Sequence, residues 1–240
     1  MGEPFITVPI ASIRPETPTL VRLSLDLRGS PLMGQYTVPG QYVRMFVGEQ
    51  TPNYFSIASA PEDRRHLEFL IRTKGDPALA LAASRAGDPV QVSPVAGRGF
   101  PVDEGRGGDL ALFAAGSGIA PIRAVIGHVL ADRRAFGHVT LCYGVRDRQE
   151  LAFGDEIDAW RAAGIETWVT LSRPTEDWVG LRGYVQDSLD HALPPGAWPR
   201  SPEPADLPTA FVCGFEEMVE AITAGLEVRG VPPSRIFKNF

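Results

Sequence analysis

The chain has 240 residues, 44% hydrophobic and 22% charged, which suits one large or two ordinary globular domains and excludes a disordered chain. Lys and Arg number 23 against 29 Asp and Glu, so the formal charge is −6 and the basic excess of a nucleic-acid-binding surface is missing. Two cysteines (Cys142 and Cys213) are too few for a Cys₄ iron–sulfur or zinc site, and the four histidines show no ligand spacing.

The first hundred residues carry short β-rich runs: Phe5–Ile13, Thr19–Leu27, Gln41–Val47, Asn53–Ser59, His66–Thr73 and Pro89–Ser93. Pro39-Gly40 marks a turn before the third of them, and one short helix fits Ala78–Arg85. Strands at this spacing predict a small antiparallel β-barrel. The glycine-rich stretch from Gly97 to Gly108 breaks the pattern, and the domain boundary is placed within it, giving domains 1–104 and 105–240. Beyond it strand and helix alternate. The predicted strands are Asp109–Ala115, Val139–Tyr143, Glu166–Leu171, Ala210–Cys213 and Ile236–Phe240. The predicted helices are Ile122–Arg134, Asp155–Ala163, Val185–His191 and Glu216–Arg229. This order implies an α/β domain with a parallel sheet and helices on both faces. The proline-rich stretch Pro194–Pro208 reads as an extended surface loop. No apolar run reaches the roughly 18 residues of a membrane span, and the start has no basic region followed by an apolar core, so the chain reads as cytoplasmic. Trp160 and Trp168 read as core, His128 as a helix-surface residue, and Asp155-Glu156-Asp158 as a solvated helix start.

The sharpest local signal is Ala115-Gly116-Ser117-Gly118-Ile119-Ala120-Pro121, a strand running into a Gly-x-Gly turn and a helix. Glycines let backbone amides approach a pyrophosphate, and the helix start favours its charge. Alone, such a turn also occurs for packing reasons. A second strand, Phe211-Val212-Cys213, ends in Gly214-Phe215 and a helix carrying Met218. Both turns fall at the carboxyl edge of the sheet, where open α/β folds bind ligands. Without that context Cys213 reads as a buried structural cysteine.

Taken together these segments resemble the ferredoxin–NADP reductase superfamily over essentially the whole chain. Gly116-Ser117-Gly118-Ile119-Ala120-Pro121 is similar to its Gly-Thr-Gly-Ile-Thr-Pro pyrophosphate loop, and Cys213-Gly214 with Met218 to the segment beside the nicotinamide. Pro39-Gly40-Gln41 resembles its Pro-Gly-Gln strand start. Tyr143-Gly144-Val145-Arg146 and Leu171-Ser172-Arg173-Pro174 resemble segments lining the adenosine side, and Trp178 to Val185 resembles its Trp-x-Gly…Gly-x-Val region. The end, Ile236 to Phe240, resembles the family's aromatic terminus, and Pro94 to Phe100 a segment of electron-transfer subunits such as that of dihydroorotate dehydrogenase. The iron–sulfur extension of those subunits is not expected here.

The resemblance implies a flavin-binding barrel followed by a nicotinamide-nucleotide domain. It implies FAD, with FMN second, and NADH or NADPH, with a lean to NADH. Asn53-Tyr54-Phe55-Ser56 stands where the family has Arg-x-Tyr-Ser. The expectation is that Phe55 packs on the flavin ring, that Ser56 bonds it near N5, and that Asn53 cannot replace the charged phosphate contact. The helix-start hydroxyl beside the flavin phosphates is also replaced, leaving Gly75 and the amides of Ala78 and Leu79, with Arg72, Lys74 or Arg98 as compensating cations. The resemblance assigns Gly116, Ser117, Gly118, Ile119, Pro121, Arg146, Ser172, Arg173, Cys213, Gly214, Phe215 and Met218 to the nucleotide. Ser56, Cys213 and Phe240 would stand nearest the hydride, Cys213 shaping the pocket and Phe240 covering the flavin until it moves. The implied activity is a flavin-dependent NAD(P)H oxidoreductase passing electrons to an unidentified acceptor protein or small oxidant. The alternative is a non-enzymatic nucleotide-binding or regulatory subunit that has lost its flavin.

Overall fold

A computed structural model describes residues 4–74, 78–193 and 207–239. The N-terminal strands are β1 (Ile6–Thr17), β2 (Leu20–Asp26), β3 (Tyr42–Phe46), β4 (Asn53–Ser56), β5 (His66–Arg72) and β6 (Pro89–Val92), with a five-residue helix α1 (Ala78–Ala82) before β6. They form one antiparallel sheet in the order β4-β3-β6-β1-β2-β5. Its two edges are drawn together where Ala58 N donates to Glu68 O at 2.7 Å and Glu68 N donates to Ser59 Oγ at 3.1 Å. Alternation then decides the interior. Val8, Leu23, Leu25, Val43, Met45, Phe55, Ile57, Leu67 and Phe69 pack into one core.

The second domain comprises β7 (Leu110–Ala115), α2 (Ile119–Ala131), β8 (Val139–Val145), α3 (Ile157–Ala162), β9 (Ile165–Leu171), β10 (Leu181–Arg182), α4 (Leu189–Ala192), β11 (Thr209–Cys213), α5 (Glu216–Val228) and β12 (Ile236–Lys238). All pairs in its sheet are parallel, in the order β10-β9-β8-β7-β11-β12. The central strand β7 is apolar on both sides, because both faces are covered. Leu110, Leu112 and Ala114 meet the residues of α2 and α3, whereas Ala111, Phe113 and Ala115 meet those of α4 and α5. The expected helices on both faces are therefore present.

Several boundaries move. The helix expected from Ile122 begins at Ile119, so Pro121 sits in its first turn, where a missing N–H costs nothing. The two-residue strand β10 is absent from the sequence reading, since a pair of residues carries no period. The predicted helix Val185–His191 is a 3₁₀ turn over Val185–Ser188 followed by α4. Most of Pro194–Pro208, together with Gly75 and Phe240, lies outside the described residues. Trp160 is core; Trp168 is only half-buried, its ring 4.2 Å from that of His191. The core around α2 also takes in Leu20, Ala58 and Leu70 from the barrel and Phe100 and Val102 from the connection, so the two domains share packing.

Two surface expectations are overturned by that shared interface. His128 is not free on its helix: its ring lies 2.7 Å from Glu62 and 3.4 Å from Asp103, and it is largely covered. Asp155 and Glu156 do not simply solvate a helix start. Glu156 pairs with Arg22 of β2 and Arg123 of α2, and Asp155 with Arg22 and Arg14. A helix-start acid points wherever the neighbouring domain supplies a cation, which a one-dimensional pattern does not show.

Candidate functional site

At the carboxyl edge of the parallel sheet, β7 ends at Ala115 and the chain turns through Gly116 at φ +54°. That left-handed backbone suits glycine, and a 3₁₀ turn over Gly116–Gly118 leads directly into α2. The amide of Ile119 bonds back to the Gly116 and Ser117 carbonyls. It is therefore not available to a ligand, and Ile119 and Pro121 are buried supports of the loop. The amide of Ser117, in contrast, precedes the first i→i+3 bond of the turn.

Gly118 is there for a different reason from Gly116. A Cβ on it would collide with the carbonyl oxygen of Cys213 and lie 2.7 Å from that residue's carbonyl carbon. The close approach seats the β7–α2 turn on the β11–α5 turn. Gly214 continues the contact, since a Cβ there would stand 2.9 Å from Met218 Sδ and 3.1 Å from Ala115 Cβ. On the other side Gly144 admits Val185, whose Cβ would be 2.8 Å from an added methyl. The buried Tyr143 hydroxyl donates to Gly116 O at 3.3 Å and fixes the turn from below; burial pushes its pKa well above the ordinary tyrosine range, so it stays protonated.

These turns floor a cleft of about 550 Å³. Gly116, Ser117, Arg146, Ser172, Arg173, Phe215 and Met218 line it from the α/β domain, and Thr19, Leu20, Arg72 and Lys74 line it from the barrel. Arg72 Nη2 donates to Ser117 Oγ at 3.1 Å, a direct tie between the barrel and the glycine loop. The strand ends beyond β7 are laced together: Ser172 N donates to Val145 O at 3.1 Å and Arg173 N to Arg146 O at 2.7 Å. Arg146 is paired with Asp147 at 3.2 Å and Glu150 at 3.4 Å. Among the described residues no carboxylate pairs with Arg173 or Lys74, so these two present uncompensated positive charge to the cleft.

An oxidoreductase NAD-binding domain model matches residues 112–224, which contain all these turns. The chain is 31% identical over 202 residues to the sulfhydrogenase 1 gamma subunit of Pyrococcus furiosus, covering 83% of this chain and 66% of that one. It is 30% identical over 246 residues to the fruit protein pKIWI502 of Actinidia deliciosa, covering 95% of this chain and 75% of the other. A solved ferredoxin NADP⁺ reductase from Neisseria gonorrhoeae, with FAD and NADP bound, superposes over the full length of both chains with a TM-score of 0.80 at 22% identity. The chain belongs to the ferredoxin–NADP reductase superfamily.

Within this reductase-family fold the cleft fits a dinucleotide. A glycine turn in which a Cβ on Gly118 would meet backbone faces Arg173 and Lys74, which have no carboxylate partner among the described residues, and the sheet edge extends from it in both directions. Cys213 lies behind the glycine loop rather than on the cleft wall. Its thiol is 3.8 Å from Asn239 O, and desolvation pushes it up to about 12, so it is a neutral shape element at ordinary pH. Asn239 in turn donates from Nδ2 to Gly40 O at 2.9 Å, bringing the last described residue onto the Pro39-Gly40 turn of the barrel.

The flavin motif on β4 is where the structure corrects the sequence reading. Phe55 lies opposite Val43 in the β3–β4 ladder, on the interior face, and is only 8% exposed within the barrel core. Its ring packs inward, against the expectation that it faces the flavin. Tyr54 and Ser56 take the outer face beside Arg44 and Tyr42; Tyr54 is 63% exposed, with its ring 5.4 Å from that of Tyr42 in an edge-on arrangement. Asn53 turns its Oδ1 to its own strand, accepting from Tyr54 N at 2.8 Å. β4 thus turns the Tyr54 ring and Ser56 outward and carries no cation of its own. Ala78 buries its side chain and Leu79 exposes its own, so only their backbone is available there, and Arg72 reaches the glycine loop instead.

Thr19, Leu20, Glu150, Tyr184 and Gln186 also line the cleft and were not foreseen, whereas Lys74, expected as a cation for the flavin phosphates, lines it too. Lys74 lies two residues beyond Arg72, so strand alternation contained a signal. Thr19 and Leu20, at the β1–β2 turn, had none. Among the described residues no cluster of three or more His, Cys, Asp or Glu is placed for a metal, and no helix is long and apolar enough to cross a membrane.

Proposed function

We propose that this protein is a flavin-dependent NAD(P)H oxidoreductase that passes electrons from a nicotinamide nucleotide through FAD to a separate acceptor. The observation that carries the reading is the cleft shared between the glycine loop and the barrel, with Arg72 joining the two. Bound FAD supplies a two-electron acceptor that can return electrons singly. The protein's part is orientation. The amide of Ser117, with Lys74, would hold the dinucleotide pyrophosphate. Arg173 would meet the adenosine end, and Phe215 and Met218 the nicotinamide end. Tyr54 and Ser56 would hold the flavin ring against the barrel. Holding two reactants in a fixed relation can replace much of the entropy cost of their encounter. The gamma-subunit relative favours an acceptor that is another protein.

Asn53, uncharged and with its Oδ1 taken by Tyr54 N, favours a second reading, a nucleotide-binding subunit without flavin turnover. The visible absorption spectrum separates the two. Purified protein is titrated with FAD and with FMN, then anaerobically with NADH and with NADPH. Bound flavin that bleaches with one nucleotide supports the reductase and names its donor. Protein that binds nucleotide but stays colourless in excess FAD removes it in favour of the second reading.

A further inference from the structure

Away from the cleft, the two domains meet in a charged stack. The Phe153 ring is fully buried, with the Arg22 guanidinium 4.4 Å from its centroid and the Arg123 guanidinium at 4.5 Å. Arg22 belongs to β2 of the barrel and Arg123 to the second turn of α2. Glu16 of β1 takes Arg22 in a two-pronged pair at 2.8 and 3.0 Å and accepts from Phe153 N at 2.5 Å. Glu156 takes Arg123 in the same manner at 2.7 and 2.9 Å and also accepts from Arg22 at 2.8 Å. Phe153 is the one non-glycine residue at positive φ (+56°) among those described. Strain at a bulky residue persists only where surroundings over-determine it.

Arg123 has two further contacts, both with the barrel. Its Nη1 donates to Glu68 Oε2 at 2.6 Å and to Ala58 O at 3.0 Å. Ala58 lies two residues beyond Ser56 of β4, and Glu68 is on β5, which runs on to Arg72 and its bond to Ser117. One turn along α2, Gly127 brings the helix onto the barrel: a Cβ there would be 2.7 Å from Ala60 Cβ. The helix that starts at the glycine loop is thus fastened to the strand bearing Tyr54 and Ser56. Burial works against the Arg123 charge, yet its pairing with Glu156 and Glu68 holds it above the ordinary arginine range, so the fastening stays ionised.

We infer that Arg123, with Phe153 as its spacer, is a positioning residue that sets the separation between the nucleotide cleft and the outer face of β4. This rests on the reductase reading for its consequence, since that separation governs hydride transfer. Its geometric content stands apart from it. Lysine cannot substitute: a compact ammonium cannot make a planar two-pronged pair and reach two more acceptors.

Arg123→Met and Arg123→Lys are compared with wild type in three measurements. Nucleotide affinity, read by calorimetry, is expected to stay within about threefold, because Arg123 does not line the cleft. The flavin reduction rate at saturating nucleotide is expected to fall about tenfold or more in both. Amide hydrogen exchange without nucleotide is expected to quicken at residues 58–60 and 116–119 together. Glu68→Gln retains an acceptor and is expected to give a smaller loss in the same direction, which preserves the test if the Arg123 variants fold poorly. A saturating rate unchanged in the Arg123 variants overturns the inference, as does a rate fully rescued by lysine. If wild type reduces no flavin, the reductase reading has failed by itself. Unchanged exchange at 116–119 would then still overturn the positioning role.

Discussion

The glycine loop after β7 and the outer face of β4 are the two surfaces that a reductase must bring together, and they are specified in different ways. The loop works through its backbone. Gly116 needs a left-handed turn and Gly118 must admit the Cys213 carbonyl, so the chemistry follows from the absence of side chains, and a glycine pattern displays it directly. The β4 face works through side chains on one side of a strand. There a one-residue change in which face points outward exchanges every functional group. The pairing of Phe55 with Val43 decides that Tyr54, not Phe55, is presented. A backbone site survives such uncertainty, and a strand-face site does not.

Substitutions can break that contrast, starting with the largest. Phe55→Ala should cost about 3–5 kcal/mol of stability, the range for removing a buried aromatic ring. Thermal or urea unfolding checks it, and flavin affinity measured well below the transition should barely change. A loss of affinity at intact stability would return Phe55 to the flavin face. Gly118→Ala comes next. Its methyl meets backbone rather than a flexible side chain, so the two turns must part, with a stability loss of about 1–3 kcal/mol. Nucleotide affinity should fall more than tenfold (about 1.4 kcal/mol per factor of ten). Normal nucleotide titration in a folded Gly118→Ala protein would contradict the cradle.

Tyr54→Ala should do the reverse of Phe55→Ala. The ring is mostly exposed, so unfolding is nearly unaffected, whereas flavin binding weakens by about 0.5–1.5 kcal/mol, the worth of one stacked aromatic pair. Fluorescence titration with FAD distinguishes these. The smallest effect concerns Cys213. With its thiol pushed up to about 12, the folded protein at pH 8 holds it almost wholly protonated, since the pH lies far below that value. Iodoacetamide should label it slowly in native protein and quickly after denaturation, where the ordinary value near 8.5 returns. Native labelling should accelerate as pH rises toward 12. Rapid native labelling at pH 8 would give Cys213 a reactive role and disturb the view of it as a shape element.

Much of the architecture was legible because its determinants are local. Alternation in the first hundred residues, the switch to alternating strand and helix near residue 109, and the Gly-x-Gly turn at 116–118 each report on neighbours within a few positions. The same reading missed β10, whose two residues hold no period, and it left His128 and Asp155-Glu156 on the surface. Those errors share a cause. The partners of Glu156 are Arg22 and Arg123, 134 and 33 residues away, and no local pattern announces a contact across a domain interface.

By itself, then, the sequence determined the two domains in order, the parallel sheet of the second, and the glycine turn at that sheet's carboxyl edge. These depend on backbone freedom and hydrophobic period, which are properties of short segments. Only the tertiary structure decided which aromatic of β4 faces outward, that Arg72 reaches Ser117, that Arg146 is paired while Arg173 has no carboxylate partner among the described residues, and that Arg22 and Arg123 close on Phe153. Each of those is a matter of register or of charge meeting charge across distant parts of the chain, and both are settled only when the two cores pack against each other.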